Sequence, residues 1–111
     1  MSELLNPDDT AARLAGTAFS HGDGALHADY ATSDFSSAVR LLDRVAEAAD
    51  ALNHHPDVTV GYGAIGFTLS SHDAGGVTDR DVELATRIQE LADAAGATAQ
   101  ARGQAGAQAS E

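Results

Sequence analysis

The chain has 111 residues, of which 43% are hydrophobic, and its 17 acidic residues against six basic ones give a net charge of −11. This length predicts one domain, and no apolar run reaches the roughly 20 residues that a membrane span needs. The negative charge disfavours nucleic acid and anionic membranes as partners, and the absence of cysteine excludes disulfides, thiolate nucleophiles and cysteine zinc ligands.

The first predicted elements are a short helix and a strand. The opening sequence MSELLNPDDT lacks the basic start and apolar stretch of a secretory signal, so we expect a cytoplasmic location. Asn6 followed by Pro7 predicts the start of a helix that continues to about Ala18. His21 to Gly24 is typical of a turn, and the alternation of apolar and polar residues over 25–31 predicts a half-buried strand.

The middle of the chain has the most regular pattern. Apolar residues recur at three- and four-residue steps from Phe35 to Leu52, which predicts a long amphipathic helix. Pro56 disfavours helical geometry at His55, so we expect this helix to end near Asn53.

A strand pair, a last helix and a tail follow. Alternating apolar residues within 58–62 and 65–69, with glycines between them, predict two antiparallel strands. Thr78 is expected to cap a last helix whose apolar face extends to Leu91 or Ala92. Residues 97–111 have no apolar period, so we predict one domain over 1–96 and a disordered, low-complexity tail over 97–111.

Together these elements predict a small α+β domain. Its expected architecture is a four-stranded antiparallel sheet with about three helices packed on one face. Such a small sheet leaves exposed edges, and pairing of edges between subunits would cover them. We therefore expect a homo-oligomer.

Three histidines lie where predicted elements meet. His54 and His55 separate the long helix from the next strand, and His72 follows the second strand of the hairpin. Because an antiparallel hairpin returns the chain towards its starting end, His72 is expected to come close to the pair. Asp50 lies one helical turn before His54, where its carboxylate could orient the imidazole.

This histidine group allows three interpretations. Imidazole moves protons near neutral pH, because its unperturbed pKa of about 6.5 lies near the working range. Alternatively, three histidines could bind zinc with a water molecule in the fourth position. In the third interpretation the residues are structural: His54 caps a helix end and His72 lies on a solvated loop.

Two further residues have both a structural and a functional interpretation. Thr78 to Asp81 resembles a capping box with aspartate in place of glutamate, so Asp81 could serve only to start the helix. Tyr62 is expected to lie partly in the core and partly in the wall of a pocket.

Taken together, these residues resemble the pterin-4a-carbinolamine dehydratases. The family pattern is a charged residue, three residues, His-His-Pro, an aromatic residue, a histidine and a distal aspartate. The matching positions here are Asp50, His54–His55–Pro56, Tyr62, His72 and Asp81, and the resemblance extends from about Asp34 to Leu91. The chain departs from the family in having no tryptophan and a diluted version, LHADYATSDF, of an aromatic-rich strand.

The resemblance implies a specific activity. Members of the family eliminate water from 4a-hydroxytetrahydropterin to give quinonoid dihydropterin, which recycles the cofactor of aromatic amino-acid hydroxylases. It implies that His54 and His72 form the acid–base pair, that His55 holds the pterin and that Asp50 orients His54, with Pro56, Tyr62 and Asp81 also at the substrate site.

The resemblance also bears on cofactors and partners. It implies no metal and no separate cofactor, because the pterin is the substrate. It further implies a homodimer or homotetramer, with a hydroxylase acting in the same pathway. The alternative is a dehydratase-like binding or assembly module without activity, since such proteins include transcription co-factors and Rubisco-assembly factors.

Overall fold

The computed structural model of the chain describes residues 3–100. It contains three helices and five strands. In chain order they are α1 (Pro7–Arg13), β1 (Ser20–Gly22), β2 (Ala25–Ala31), α2 (Phe35–Leu52), β3 (Asp57–Gly61), β4 (Ala64–Leu69), α3 (Asp79–Ala94) and β5 (Thr98–Gln100). Within this part of the chain, no helix is both long enough and apolar enough to span a bilayer.

The strands form one antiparallel sheet in the order β1-β2-β4-β3. One edge of β2 pairs with β4, and its other edge is shared: β1 pairs with residues 25–27 and β5 with residues 29–31. The predicted α+β class is confirmed, but the sheet has five strands instead of four. Only three of the five strands were located in the sequence, because β1 and β5 have three residues each, too few to show a period of two.

The fifth strand also changes the predicted boundary of the tail. Thr98 to Gln100, which the sequence places in a disordered segment, pair with Asp29 to Ala31 of β2. Their backbone hydrogen bonds come from the exposed edge of β2, not from an apolar pattern of their own. The rest of the predicted tail, residues 101–111, lies outside the described residues.

The core lies between one face of the sheet and helices α2 and α3. Apolar side chains of β2 and β4 alternate with polar ones, so that the apolar set faces the helices and is almost fully buried. The largest of these side chains are Leu26, Tyr30, Ile65, Phe67 and Leu69.

Tyr30 ties the sheet to α3. Its ring packs edge-to-face against Phe19 and Phe67, with ring centroids 6.4 and 6.1 Å away. Its hydroxyl donates to Oε1 of Gln89 at 2.7 Å, and the same oxygen accepts from the backbone N–H of Ala18 at 2.9 Å. Burial raises the pKa of Tyr30 well above its ordinary value, and the nearby carboxylate of Asp93 adds to the shift.

The other face of the sheet is polar and has a close approach at its centre. Gly66 of β4 pairs with Asp29 of β2 and Thr59 of β3. A Cβ atom at Gly66 would overlap Oδ1 of Asp29 and lie 2.9 Å from Oγ1 of Thr59. Glycine is therefore required for these two side chains to meet over β4.

Helix bounds agree with the predictions to different degrees. Helix α2 spans the predicted Phe35 to Leu52, and the carboxylate of Asp34 caps it by accepting the N–H of Ser37 at 2.8 Å. Helix α1 ends at Arg13 instead of continuing to about Ala18. Its pattern is broken by Gly16, whose φ of 86° lies in the left-handed region that ends helices.

Candidate acid–base site at the end of the long helix

The site begins with the way helix α2 ends. Asn53 has a left-handed backbone with φ 53° and ψ 43°, which asparagine tolerates better than most residues. The N–H of Asn53 donates to the carbonyl of Asp50 and the N–H of His54 donates to that of Ala49, which is a Schellman motif. The turn reverses the chain and directs His54 to the interior, while His55 stays exposed.

His54 is paired with a carboxylate inside the protein. Its Nε2 atom lies 2.5 Å from Oδ1 of Asp81, the third residue of α3. His54 is 9% exposed and Asp81 is fully buried. An ionised carboxylate only accepts hydrogen bonds, so Nε2 carries the proton and Nδ1 is the basic atom of a neutral His54.

The second oxygen of Asp81 is also occupied. Its Oδ2 atom accepts from the hydroxyl of Ser71 at 2.8 Å and from the backbone N–H of Thr78 at 2.9 Å. The bond to Thr78 is the one that a capping box provides at the start of a helix. The two oxygens of Asp81 thus have different partners: Oδ2 accepts the capping-box bond at the start of α3, and Oδ1 contacts His54.

Asp50 pairs with His55, not with His54. Oδ1 of Asp50 lies 2.9 Å from Nε2 of His55, and both side chains are exposed. The prediction that Asp50 orients His54 is wrong, because it assumed that the helix continues to residue 54, which would place both residues on one face. The left-handed Asn53 ends that face and leaves His55, instead of His54, beside Asp50.

His72 lies on an exposed loop next to this network. The loop is closed by the pairing of Ser71 with Gly76, whose carbonyl accepts the N–H of Ser71 at 2.7 Å. The residue preceding His72 therefore bonds to the carboxylate that holds His54. Within residues 3–100, the ring of His72 has no side-chain hydrogen bond.

Tyr62 and Pro56 lie at opposite ends of β3. Pro56 precedes the strand beside the histidine pair, whereas Tyr62 lies in the hairpin turn after it and is 69% exposed. Five strand residues at about 3.3 Å each separate the two ends by roughly 16 Å. The prediction that Tyr62 lies partly in the core is wrong, and one chain does not bring it to the histidines.

A comparison with protein families identifies the chain. The family model described as pterin 4 alpha carbinolamine dehydratase matches residues 3–91. The match covers most of the chain and every residue of the network around Asp81. This chain belongs to the pterin 4 alpha carbinolamine dehydratase family. The resemblance inferred from the histidine and aspartate spacing is thereby confirmed.

Individual relatives agree with the family. A relative from Nocardia farcinica, provisionally named a pterin-4-alpha-carbinolamine dehydratase, is 53% identical over 58 residues. That stretch is 52% of this chain and 61% of the relative, so the match spans less than two thirds of the relative's length.

Solved structures share the fold. A structure described as a transcriptional coactivator/pterin dehydratase from Brucella melitensis has a TM-score of 0.75 and 26% identity, and covers 81% of this chain and 99% of that one. A pterin dehydratase-like protein, described as a RuBisCO assembly factor of the alpha-carboxysome, has a TM-score of 0.58 and 20% identity. The match covers 69% of this chain and 92% of that one. At that identity the second likeness shows the fold alone.

The family match ends before the last strand. Residues 98–100 of β5 follow position 91, where the matched region stops. All residues of the His54 network lie before that position: His54 in the turn after α2, Ser71 and Thr78 in the loop between β4 and α3, and Asp81 in α3. The dehydratase family pattern thus accounts for the candidate site without β5.

The zinc interpretation has no support among the described residues. No three His, Cys, Asp or Glu side chains in this part of the chain form a group that could hold a metal ion. His54 and His55 diverge after Asn53, and the Nε2 atom of each is used by an aspartate.

Sequence reasoning missed Ser71 and the hydroxyl of Thr78. Both side chains are buried and lie 2.8 Å apart, and Ser71 contacts the dehydratase family's distal aspartate directly. The sequence indicates Ser71 only by its place directly before His72, in LSSHD. Because two adjacent serines are common in loops, this place alone does not predict a functional role.

Proposed function

We propose that this chain is a dehydratase of 4a-hydroxytetrahydropterin. The observation that carries the proposal is the buried pair formed by His54 and Asp81. Exposed His55 follows His54 in the sequence, and Ser71, which bonds to Asp81, immediately precedes His72. Burying a carboxylate beside an imidazole contributes little net stability, because the cost of desolvating the carboxylate offsets the hydrogen bond that it gains. A pair of this kind is better explained by chemistry than by folding.

The proposed reaction is an elimination that needs two proton transfers. One group donates a proton to the 4a-hydroxyl as its carbon–oxygen bond breaks, and the oxygen leaves as water. Another group removes a proton from a ring nitrogen, whose electron pair forms the new double bond of the quinonoid dihydropterin. No electron acceptor is required, and the two transfers balance each other. Imidazoles with accessible nitrogen atoms suit both steps near neutral pH.

The three histidines take different parts in this proposal. Nδ1 of His54 exchanges a proton with the substrate, since Nε2 is held by Asp81. His72, exposed on its loop, is the second acid–base group. His55, held by Asp50 at 2.9 Å, contacts the pterin ring and fixes its position.

The proposal includes a homo-oligomer in the cytoplasm and an aromatic amino-acid hydroxylase as the source of the substrate. Strand β3 is at the edge of the sheet, so its outer backbone groups are available for pairing with another strand. A hydroxylase that uses tetrahydropterin produces the 4a-hydroxyl compound that this site would consume.

The alternative is a binding or assembly module that has lost activity. The likeness to the RuBisCO assembly factor is 20% identical and gives no information on partners. The complete arrangement of His54, Asp81 and Ser71 favours the enzyme, because an assembly surface on the outside of the domain does not require a buried proton carrier.

The test is loss of the 4a-hydroxyl compound, generated by a pterin-dependent hydroxylase, with and without the purified chain. We expect wild-type protein to accelerate the loss, and His54→Ala and His72→Ala each to reduce the acceleration by about 100-fold. The matched control is His27→Ala, because His27 lies on the opposite face of the sheet, where its Nε2 donates to the carbonyl of Gly22. A wild-type rate equal to the spontaneous rate would refute the enzyme, and co-purification of a specific partner would then favour the assembly module.

A further inference from the structure

Ser71 occupies a buried position between the end of β4 and the start of α3. It follows β4, is 1% exposed, and exchanges backbone hydrogen bonds with Gly76 across its loop. The same serine contacts two side chains of the α3 start, the carboxylate of Asp81 and the hydroxyl of Thr78, each at 2.8 Å. The backbone thus holds the hydroxyl of Ser71 against Asp81.

The direction of these hydrogen bonds follows from the chemistry of the groups. A carboxylate only accepts, so the single proton of the Ser71 hydroxyl goes to Oδ2 of Asp81. The bond between Ser71 and Thr78 must then be donated by Thr78. The result is a directional chain in which Thr78 donates to Ser71, Ser71 to Asp81, and Asp81 accepts the Nε2 proton of His54 at its other oxygen. Hydrogen bonds in such chains polarise and strengthen one another.

These linked hydrogen bonds control the orientation of the Asp81 carboxylate plane. The last torsion of an aspartate side chain has a broad energy minimum, so the backbone of α3 alone does not fix the plane of the carboxylate. Two donors at Oδ2, the Ser71 hydroxyl and the Thr78 N–H, fix that plane and direct Oδ1 to Nε2 of His54. Without the serine, only one of the two donors is left.

We propose that Ser71 is a positioning residue of the dehydratase, acting on His54 through Asp81. The inference rests on the proposed function for its kinetic part and on the hydrogen-bond network for its structural part. Among the described residues the hydroxyl of Ser71 bonds to Asp81 and Thr78 and not to His55 or His72, so we expect it to affect proton transfer at His54 and not the binding of the pterin.

The kinetic test compares Ser71→Ala with Ser71→Thr, which keeps the hydroxyl. We expect Ser71→Ala to lower kcat by about tenfold, the rate equivalent of losing one hydrogen bond to a charged group, with KM changed less than about twofold. Ser71→Thr should restore most of kcat. The matched control is Ser70→Ala, which changes the preceding serine and should leave both constants as in wild type. Should Ser71→Ala retain the wild-type kcat, the proposal is overturned.

A spectroscopic test does not depend on activity. Proton NMR of ¹⁵N-labelled resting protein should show the Nε2 proton of His54 at low field, because its hydrogen bond to Asp81 is 2.5 Å long. His54→Gln assigns this signal by removing it. We expect Ser71→Ala to move the signal upfield or broaden it beyond detection, and Ser71→Thr to preserve it. An unchanged signal in Ser71→Ala contradicts the proposal, whatever the activity.

The two tests separate this inference from the proposed function. If wild-type protein has no dehydratase activity but the signal responds to Ser71→Ala, the proposed function fails and the positioning role stands. If Ser71→Ala does not fold, Ser71→Cys replaces it, because cysteine keeps the packing but is a weak donor. Folded Ser71→Cys should then show the lower kcat and the shifted signal, and wild-type values for both overturn the proposal.

Discussion

Nε2 of His54 donates to Oδ1 of Asp81 across 2.5 Å, and this bond joins the end of α2 to the first turn of α3. The two residues are 27 positions apart in the sequence. Because Asp81 is fully buried, its carboxylate has few alternatives to these partners.

Asp81→Asn should abolish most of the activity. The amide can present N–H groups to Nε2 of His54, which favours the opposite tautomer and places a proton on Nδ1. We expect kcat to fall by about 100-fold or more, since the acid–base group is in the wrong form. The measurement is the rate of 4a-hydroxyl loss, with ¹⁵N shifts of His54 reporting the tautomer. Asp73→Asn is the control, because Asp73 pairs with Arg80 on the surface and is not in the network.

Asp50→Asn should have a small effect on activity. Its carboxylate holds exposed His55, so we expect KM to rise by less than about threefold and stability to change by less than about 0.5 kcal/mol. The measurements are steady-state kinetics and thermal denaturation. A loss of kcat as large as that of Asp81→Asn would contradict the observed pairing and support the earlier expectation that Asp50 orients His54.

Asp34 should make helix α2 sensitive to acid. The backbone N–H of Ser37, with its hydroxyl and Arg40 adding smaller effects, lowers the pKa of this carboxyl. A lowered pKa in the folded state means that the stabilisation is present above the unfolded pKa, about 3.9, and is lost as pH falls through the lower folded value. We expect Asp34→Asn, which caps without titrating, to weaken the acid dependence of the unfolding midpoint below pH 4. An identical pH profile for the two proteins would count against this role.

Gly66→Ala should destabilise the sheet. The added methyl group overlaps Oδ1 of Asp29 and is crowded by Thr59, so the side chains must move, at a cost of about 1–3 kcal/mol. Asp29→Ala in the same chain removes the first clash and should recover most of that loss. Denaturant unfolding of the two single variants and the double variant measures the coupling. Additive effects would show that Asp29 does not limit the space above Gly66.

Tyr30→Phe should lower the free energy of unfolding by about 1 kcal/mol, the contribution of a neutral buried hydrogen bond. The loss is limited because Oε1 of Gln89 still accepts from the N–H of Ala18. Tyr62→Phe is the control, since its hydroxyl lies on an exposed hairpin turn. Equal stability of the Tyr30→Phe variant and wild type in urea would contradict the role of this bond.

Long periodic segments of this fold were predictable from the sequence. The apolar repeat of α2 predicts its bounds at Phe35 and Leu52, and the alternation in residues 65–69 predicts the strand that the structure has at Ala64–Leu69. Strands β1 and β5 were not predictable, because their three residues are held by the backbone edge of β2 instead of their own side chains. The periodicity of apolar residues predicts amphipathic helices and strands, but it does not predict which short segments pair with the edge of a sheet.

The candidate site was predictable by residue type and less so by pairing. The spacing of the histidines and Asp81 identifies the group, because each of them lies where an element starts or ends. Which histidine pairs with Asp50 depends on one backbone angle, the positive φ of Asn53. Because of this angle, His55 and not the expected His54 lies beside Asp50. The buried position of Ser71 depends on the closed loop that follows β4, and no residue pattern in the sequence predicts the shape of this loop.

The reversal at Asn53 gives adjacent histidines two different levels of chemical accessibility. His54 turns inward and is 9% exposed, whereas the side chain of His55 is 58% exposed. A reagent that acylates imidazole would therefore modify His55 and the exposed His72 first, and His54 more slowly. Peptide mapping of a time course would separate the rings by their rates, so that two neighbouring residues of one peptide report the exposed and the sheltered side of the candidate site.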